Sequence, residues 1–194
     1  MTEPQMPQQT DFPLPTDLPK PEDDGAAAHL LGLRMPKILL CSTKDRIVDL
    51  SDLQALRTVI YCYPMTGVPG KPLPEGWDLI PGARGCTPQT CGFRDHYAEL
   101  QAHKAAVFGL STQSNAYQRE MATRLHLPFD VLSDVAFEFC DALQLPTFEV
   151  EGVRLLKRLT MIVKEGRIEQ VFNPVFTQNE SAEEVLRWLK SKES

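Results

Sequence analysis

Cys86 and Cys91 stand five positions apart in PGARGCTPQTCGFRDH, residues 81–96, beside prolines, arginines and a histidine. Three chemistries fit such a pair: a metal site, a structural crosslink, or a reacting thiol. A helix opening near Thr87-Pro88, where the missing N–H of Pro88 costs nothing, turns the side-chain direction by about 140° over five residues. Cys86, Cys91 and His96 then point three ways and cannot meet on one zinc, and no second Cys or His pair stands nearby. In an ideal helix the two cysteine Cα atoms are roughly 8.6 Å apart, beyond the roughly 7 Å that a disulfide spans. A bond between them requires the first turn to unwind, so it is no passive staple. As a reactive thiolate, Cys86 sits at a helix entrance, where free N–H groups and the positive end of the macrodipole favour an anion. A nearby arginine would favour the thiolate further, and the thiolate is the nucleophile. The ordinary role of a lone cysteine is that of a small buried hydrophobe. That role suits Cys41 and Cys62, which fall in predicted strands, and Cys140. It suits Cys86 poorly, because a polar helix mouth after a Gly/Pro loop is not an apolar core.

The elements that must hold this pair follow from periodicity and turn residues. KILLCST and RIVDL read as two strands of a hairpin, and LSDLQAL as a helical turn with Ser51 as its cap. RTVIYCYP, ending at Pro64, is apolar on both faces, as in a strand covered by helices on both sides. The Gly/Pro-rich stretch MTGVPGKPLPEGWDLIPGARG is about 20 residues long, a length that marks either a functional loop or elements assigned wrongly. In the helix that follows, Phe93, Tyr97 and Leu100 form one core-facing stripe. AAVFGLST is a second buried strand, followed by a helix through NAYQREMATRLHL. FDVLSD leads into a helix at VAFEFCDALQL. RLTMIVKEGRIEQVF is a hairpin turning at Glu165-Gly166, and SAEEVLRWLKSK is a C-terminal helix with acids early and lysines late. The expectation is an α/β protein of thioredoxin-like fold, a central mixed β-sheet flanked by helices.

A chain of 194 residues makes about one domain. Residues 1–28 read as a Pro-rich extended or disordered arm, and residues 29–194 as the domain, with an inserted loop at about 65–84. The net charge of −6 argues against a nucleic-acid or anionic-membrane surface. No apolar run approaches the roughly 20 residues needed to span a bilayer. The N-terminus has neither the basic nor the apolar region of a secretory signal. A cytoplasmic protein is expected, and five cysteines, an odd count, fit a paired disulfide framework poorly.

YCYP…GCTPQTCGFRD resembles the signature YFYP…TPGCTxQxCxFRD of peroxiredoxins of the bacterioferritin-comigratory-protein (PrxQ) type, within the AhpC/TSA superfamily. The resemblance runs from about residue 36 to the C-terminus. It takes in LSDL, VLSD and RLTMIVKEGRIEQVF, which is similar to the family's RxTFLIDxxGxIxxVF. It implies a thiol peroxidase without a cofactor or metal, acting on hydrogen peroxide and organic hydroperoxides. Cys86 would be the peroxidatic cysteine and Cys91 the resolving one, joined in an intramolecular disulfide, with Cys140 or an external thiol as alternative resolvers. Arg158, predicted on a strand, matches the arginine that holds the thiolate and polarises the peroxide. Pro64 matches the proline that shields the pocket, and Gln89 the polar residue three after the cysteine. The implied partners are peroxide and thioredoxin or a similar dithiol reductant, and the implied assembly is a monomer or weak homodimer.

Two departures stand out. Pro64 lies 22 residues before Cys86, where the pattern PxxxTxxC has seven, so about 15 residues including KPLPEGWDLI are inserted. Ala83 occupies the place of the family threonine, and Thr66 is the candidate to fold back into its role. Arg84 is a second candidate for anion contact, with solvent exposure as the alternative. Trp77 either anchors a partner at a surface formed by the insertion or pins the loop to the domain. The histidines carry little: His96 faces away from Cys86, and His103 and His126 sit near helix ends. A disulfide oxidoreductase is the second enzymatic reading, weakened by the absence of C-x-x-C. A redox-sensing or binding module is the reading from another class.

Overall fold

The centre of the sheet is Arg57–Cys62, six consecutive buried residues, as expected of a strand covered on both faces. The computed structural model describes residues 17–175 and 180–192. Nine strands are described: β1 (Leu39–Ser42), β2 (Ile47–Asp49), β3 (Arg57–Cys62), β4 (Ala105–Ser111), β5 (Asp130–Ser133), β6 (Thr147–Val150), β7 (Val153–Leu156), β8 (Leu159–Lys164) and β9 (Arg167–Phe172). Five helices accompany them: α1 (Cys86–Asp95), α2 (Tyr97–Ala102), α3 (Asn115–Arg124), α4 (Glu138–Leu143) and α5 (Ser181–Ser191). Seven strands form one mixed sheet in the order β2-β1-β5-β4-β3-β8-β9, and β6-β7 is a separate hairpin. β3, β4 and β5 run parallel, while β8 joins the other edge of β3 antiparallel.

Alternation along β3 sends side chains to two cores. Ile60 and Cys62 join Cys140, Leu143 and the segment from Ala27 to Met35 on one face. Val59, Tyr61 and Tyr63 join Cys86, Phe93, Leu100, Met121 and α5 on the other. Tyr61 is paired with Gly109 on β4, where a Cβ would meet its hydroxyl at 2.7 Å. Glycine there is what lets the ring lie down under α1, stacked on Phe93 at a centroid distance of 4.5 Å. No described helix is long and apolar enough to cross a membrane.

Several local expectations change. Ser51 caps no helix, because its N–H and hydroxyl both donate to the Asp49 carboxylate, at 2.9 and 2.6 Å, and close a tight turn instead. The stripe Phe93, Tyr97, Leu100 spans two helices that break at His96. FDVLSD holds strand β5. Cys41 is exposed rather than buried, since Leu40 and Ser42 take the inward positions of β1. Pairing reasoning also passed over PTFEVEGVRLL, which forms the β6-β7 hairpin. Its Glu151-Gly152 turn has φ of 50° and 74°, the same left-handed pair as Glu165-Gly166 at 51° and 70°. The chain enters the core by Ala27 and Leu30, while residues 1–16 of the expected arm lie outside the described residues.

Candidate active site

Helix α1 begins at Cys86 itself, two residues before Pro88. Gly85 precedes it with φ of 100°, a left-handed conformation that suits glycine, and no side chain caps the helix. The first amides of α1 are thus not claimed by a capping side chain, and the cysteine sits at the positive end of the dipole.

Arg158 is 5% exposed, yet it lies in the two-residue link between β7 and β8 rather than on a strand. Its guanidinium is held from several sides. Nε donates to the Gly82 carbonyl at 3.2 Å, and Nη2 to the carbonyls of Ala83 at 3.3 Å and Arg84 at 3.1 Å. Nη1 donates to Gln89 Oε1. Nη2 also lies 3.1 Å from Cys86 Sγ. A buried cation at that distance, ringed by carbonyl dipoles and an amide, stabilises a thiolate by a charge-assisted contact. The protonated sulfur can instead direct its hydrogen to the Ala83 carbonyl, 3.6 Å away.

Gln89 is wholly buried one turn along α1, and its Nε2 reaches Ser181 Oγ at 3.3 Å, at the start of α5. That bond orients the amide so that its oxygen faces Arg158. Cys91 lies further along the helix, half-buried against the core that holds Tyr97 and Ala122. Burial pushes its thiol above the ordinary range, opposed by the nearby Arg94 guanidinium. Pro64 is buried directly after β3. Cys86, Gln89 and Arg158 are therefore brought into one contact group.

Thr66 is held elsewhere. Its hydroxyl and N–H both donate to Gln113 Oε1, at 3.3 and 3.1 Å, and its carbonyl accepts from the Tyr117 hydroxyl at 2.7 Å. Arg84 turns to an anion of its own insertion, pairing with the Asp78 carboxylate at 2.9 Å. Ala83 packs with Trp77 and Leu155 in a third apolar cluster, so a threonine here would bury its side chain among these apolar groups. Trp77 is 3% exposed and packs on Phe148 with ring centroids 6.1 Å apart. It pins the insertion to the β6-β7 hairpin and offers no partner surface.

The carbonyls of Gly82, Ala83 and Arg84 were not foreseen as Arg158 ligands, because every residue type carries a carbonyl. The arm reaches the same segment: a Cβ on Gly82 would come within 3.5 Å of Pro21, and Asp24 pairs with Lys157 at 2.6 Å.

Comparison with known proteins places the whole domain in a family. The redoxin family model matches residues 30–186. Peroxiredoxin Bcp of Escherichia coli is 30% identical over 159 residues, covering 80% of this chain and 92% of the relative. The chloroplastic peroxiredoxin Q of Sedum lineare is 28% identical over 160 residues, covering 82% and 77%. Among solved structures, peroxidoxin BcpB of Mycobacterium tuberculosis has a TM-score of 0.70 at 22% identity, covering 84% of this chain and 98% of that one. The bacterioferritin comigratory protein of Xanthomonas campestris, which has alkyl peroxide reduction activity, has a TM-score of 0.68 at 21% identity, covering 84% and 98%. The matched span and the relatives' identity show that the chain belongs to the redoxin family, among its peroxiredoxins.

Proposed function

We propose that this peroxiredoxin reduces hydrogen peroxide and organic hydroperoxides through Cys86, with Cys91 as the resolving thiol. The observation that carries the reading is the Arg158 guanidinium 3.1 Å from Cys86 Sγ at the start of α1. The Cys86 thiolate attacks the terminal oxygen of the peroxide and breaks the O–O bond. Sulfur gains one oxygen as the sulfenic acid, and the departing alkoxide or hydroxide takes up a proton and leaves as alcohol or water. Cys91 then attacks the sulfenic sulfur, forming the Cys86–Cys91 disulfide and releasing one water. A thioredoxin-like dithiol reduces this disulfide and becomes oxidised itself.

Arg158 serves the first step twice, by holding the thiolate and by offering N–H donors where negative charge develops on the leaving oxygen. Gln89 and Pro64 keep that pocket oriented and shielded. Thr66 supplies a peroxide hydrogen bond only if it gives up Gln113. The burial of Cys91 is consistent with a resolver held protonated until its helix opens. Cys140 is disfavoured as resolver, since it belongs to the core on the opposite face of the sheet. The arm 1–28 and the insertion 65–84 attach to one catalytic domain, residues 29–194, acting in the cytoplasm as a monomer or weak homodimer.

The test is one equivalent of peroxide followed by mass mapping of the disulfide, with turnover measured in the presence of a thioredoxin system. The parent protein should give a Cys86–Cys91 peptide pair and many turnovers. Cys86→Ser should consume no peroxide, and Cys91→Ser should react once and stall. Full turnover by Cys86→Ser would remove the assignment, and a single turnover in the parent would favour a sensor.

A further inference from the structure

The segment that carries Cys86 and the link that carries Arg158 are distant in the chain, and their relative position decides the 3.1 Å contact between the sulfur and Nη2. Gly82, Ala83 and Arg84, whose carbonyls accept from the guanidinium, run directly into Cys86 and move with it. Arg158 comes from the two-residue link between β7 and β8. Apolar packing of Ala83 with Leu155 joins the two parts on one side. Residues 21–24 of the N-terminal arm touch both parts as well.

The Pro21 ring lies over Gly82, where an added Cβ would come within 3.5 Å of the proline Cβ and 3.7 Å of its Cγ. Three residues on, Asp24 Oδ2 accepts from Lys157 Nζ at 2.6 Å, and Lys157 is the chain neighbour of Arg158. An exposed ion pair ordinarily contributes little, because two mobile side chains must be ordered to make it. Here both ends are ordered in advance. Asp24 Oδ1 accepts from the Ala26 N–H at 3.0 Å, and Asp23 Oδ1 from the Gly25 N–H at 2.9 Å. The chain then enters the core at Ala27 and Leu30. On the other side the Lys157 N–H donates to the Pro146 carbonyl at 2.8 Å. The hydrogen bond from Lys157 holds the Asp24 carboxyl below the usual carboxylate range, so the pair is charged at neutral pH.

We infer that Pro21 and Asp24 are positioning residues for the peroxide reaction: the arm clips the Cys86 segment to the Arg158 link and so keeps the guanidinium at the sulfur. Both act through Arg158 and not on the peroxide. The inference rests on Cys86 being the reacting thiol and Arg158 its cation. It gives the arm a part in the first chemical step.

The experiment is stopped-flow oxidation of the full-length reduced protein by hydrogen peroxide over a range of pH. Asp24→Asn keeps the acceptor for Ala26 and removes the charge facing Lys157. It should slow the first step roughly three- to fivefold, the upper end for an exposed pair. Adding Pro21→Gly should bring the loss to about tenfold, within what a misplaced group costs when the change is far from the chemistry. The pH midpoint of the rate should move upward, because an arginine held less closely favours the thiolate less. Lys157→Met should match Asp24→Asn, and the two together should lose no more than either, since both remove one contact. Lys157→Arg should keep the parent rate and midpoint. A lowered melting temperature with the parent's rate and midpoint would make the arm a structural clasp and overturn the inference. Slowing without a shift of the midpoint overturns it too, since the guanidinium has then stayed at the sulfur. Losses that multiply in the Asp24→Asn/Lys157→Met protein overturn it as well. Peroxide consumption that survives Cys86→Ser overturns the reading of the site, and the inference with it.

Discussion

Two cysteines of this protein have an arginine at their sulfur, and their surroundings differ. Cys86 and Cys140 are 3% and 0% exposed, with Arg158 Nη2 at 3.1 Å from one sulfur and Arg154 Nη2 at 3.6 Å from the other. What differs is how much of each positive field is already spent. Arg154 donates to the Asp141 carboxylate at 2.8 Å and lies partly in solvent. The first amides of α4 are also occupied, since Phe139 and Cys140 both donate to the Asp134 carboxylate, at 3.1 and 2.8 Å. Burial pushes the Cys140 thiol up to about 11 in spite of its arginine. Around Cys86 the arginine's protein partners are carbonyls and an amide, which orient it without cancelling its charge, and α1 has no side-chain cap. An arginine near a thiol is therefore not sufficient.

The comparison breaks most visibly at Arg158. Arg158→Met should slow peroxide consumption by about 10²–10³-fold, the usual loss when a preorganised donor at developing charge is removed. Arg158→Lys should recover only part, because an ammonium cannot span three carbonyls, an amide and the sulfur at once. Wild-type rates in either variant, measured by peroxide loss with a saturating reductant, would show that the guanidinium is structural.

A smaller effect sharpens the other side. Cys140→Ala should leave turnover within about twofold, since no chemistry is assigned to it. In the folded Cys86→Ser protein, alkylation of Cys140 should climb about tenfold per pH unit as its thiolate fraction rises, levelling only near pH 11. The sign follows from the raised value: below about 11 the neutral thiol dominates. A plateau reached by pH 8 would contradict burial as the controlling factor. The smallest change is Asp141→Asn, which frees Arg154 from its carboxylate. Cys140 alkylation at pH 8 should then rise roughly two- to fivefold, in keeping with an exposed ion pair, and an unchanged rate would show that Arg154 stays engaged without Asp141.

The order of strands and helices around the site was legible in the sequence, because buried strands and amphipathic helices have periods that survive without context. The sequence also placed Cys86 at a helix mouth and excluded a static Cys86–Cys91 crosslink by helix geometry alone. It missed the β6-β7 hairpin, although Glu151-Gly152 carries the same turn chemistry as Glu165-Gly166. It also took Cys41 for a core residue, since strand alternation has two phases and only packing selects between them.

What surrounds the thiol depends on packing between distant segments. Arg158 lies 72 residues from Cys86 in the chain, and its other ligands are backbone carbonyls that no residue type announces. The insertion's role emerged the same way: Trp77 and Ala83 bury themselves on a hairpin distant in sequence, which fixes the carbonyls of residues 82–84 around the guanidinium. Local pattern could single out Cys86, because a helix entrance is a local feature. The field acting on its sulfur is a sum over groups that meet only when the sheet and its loops have packed.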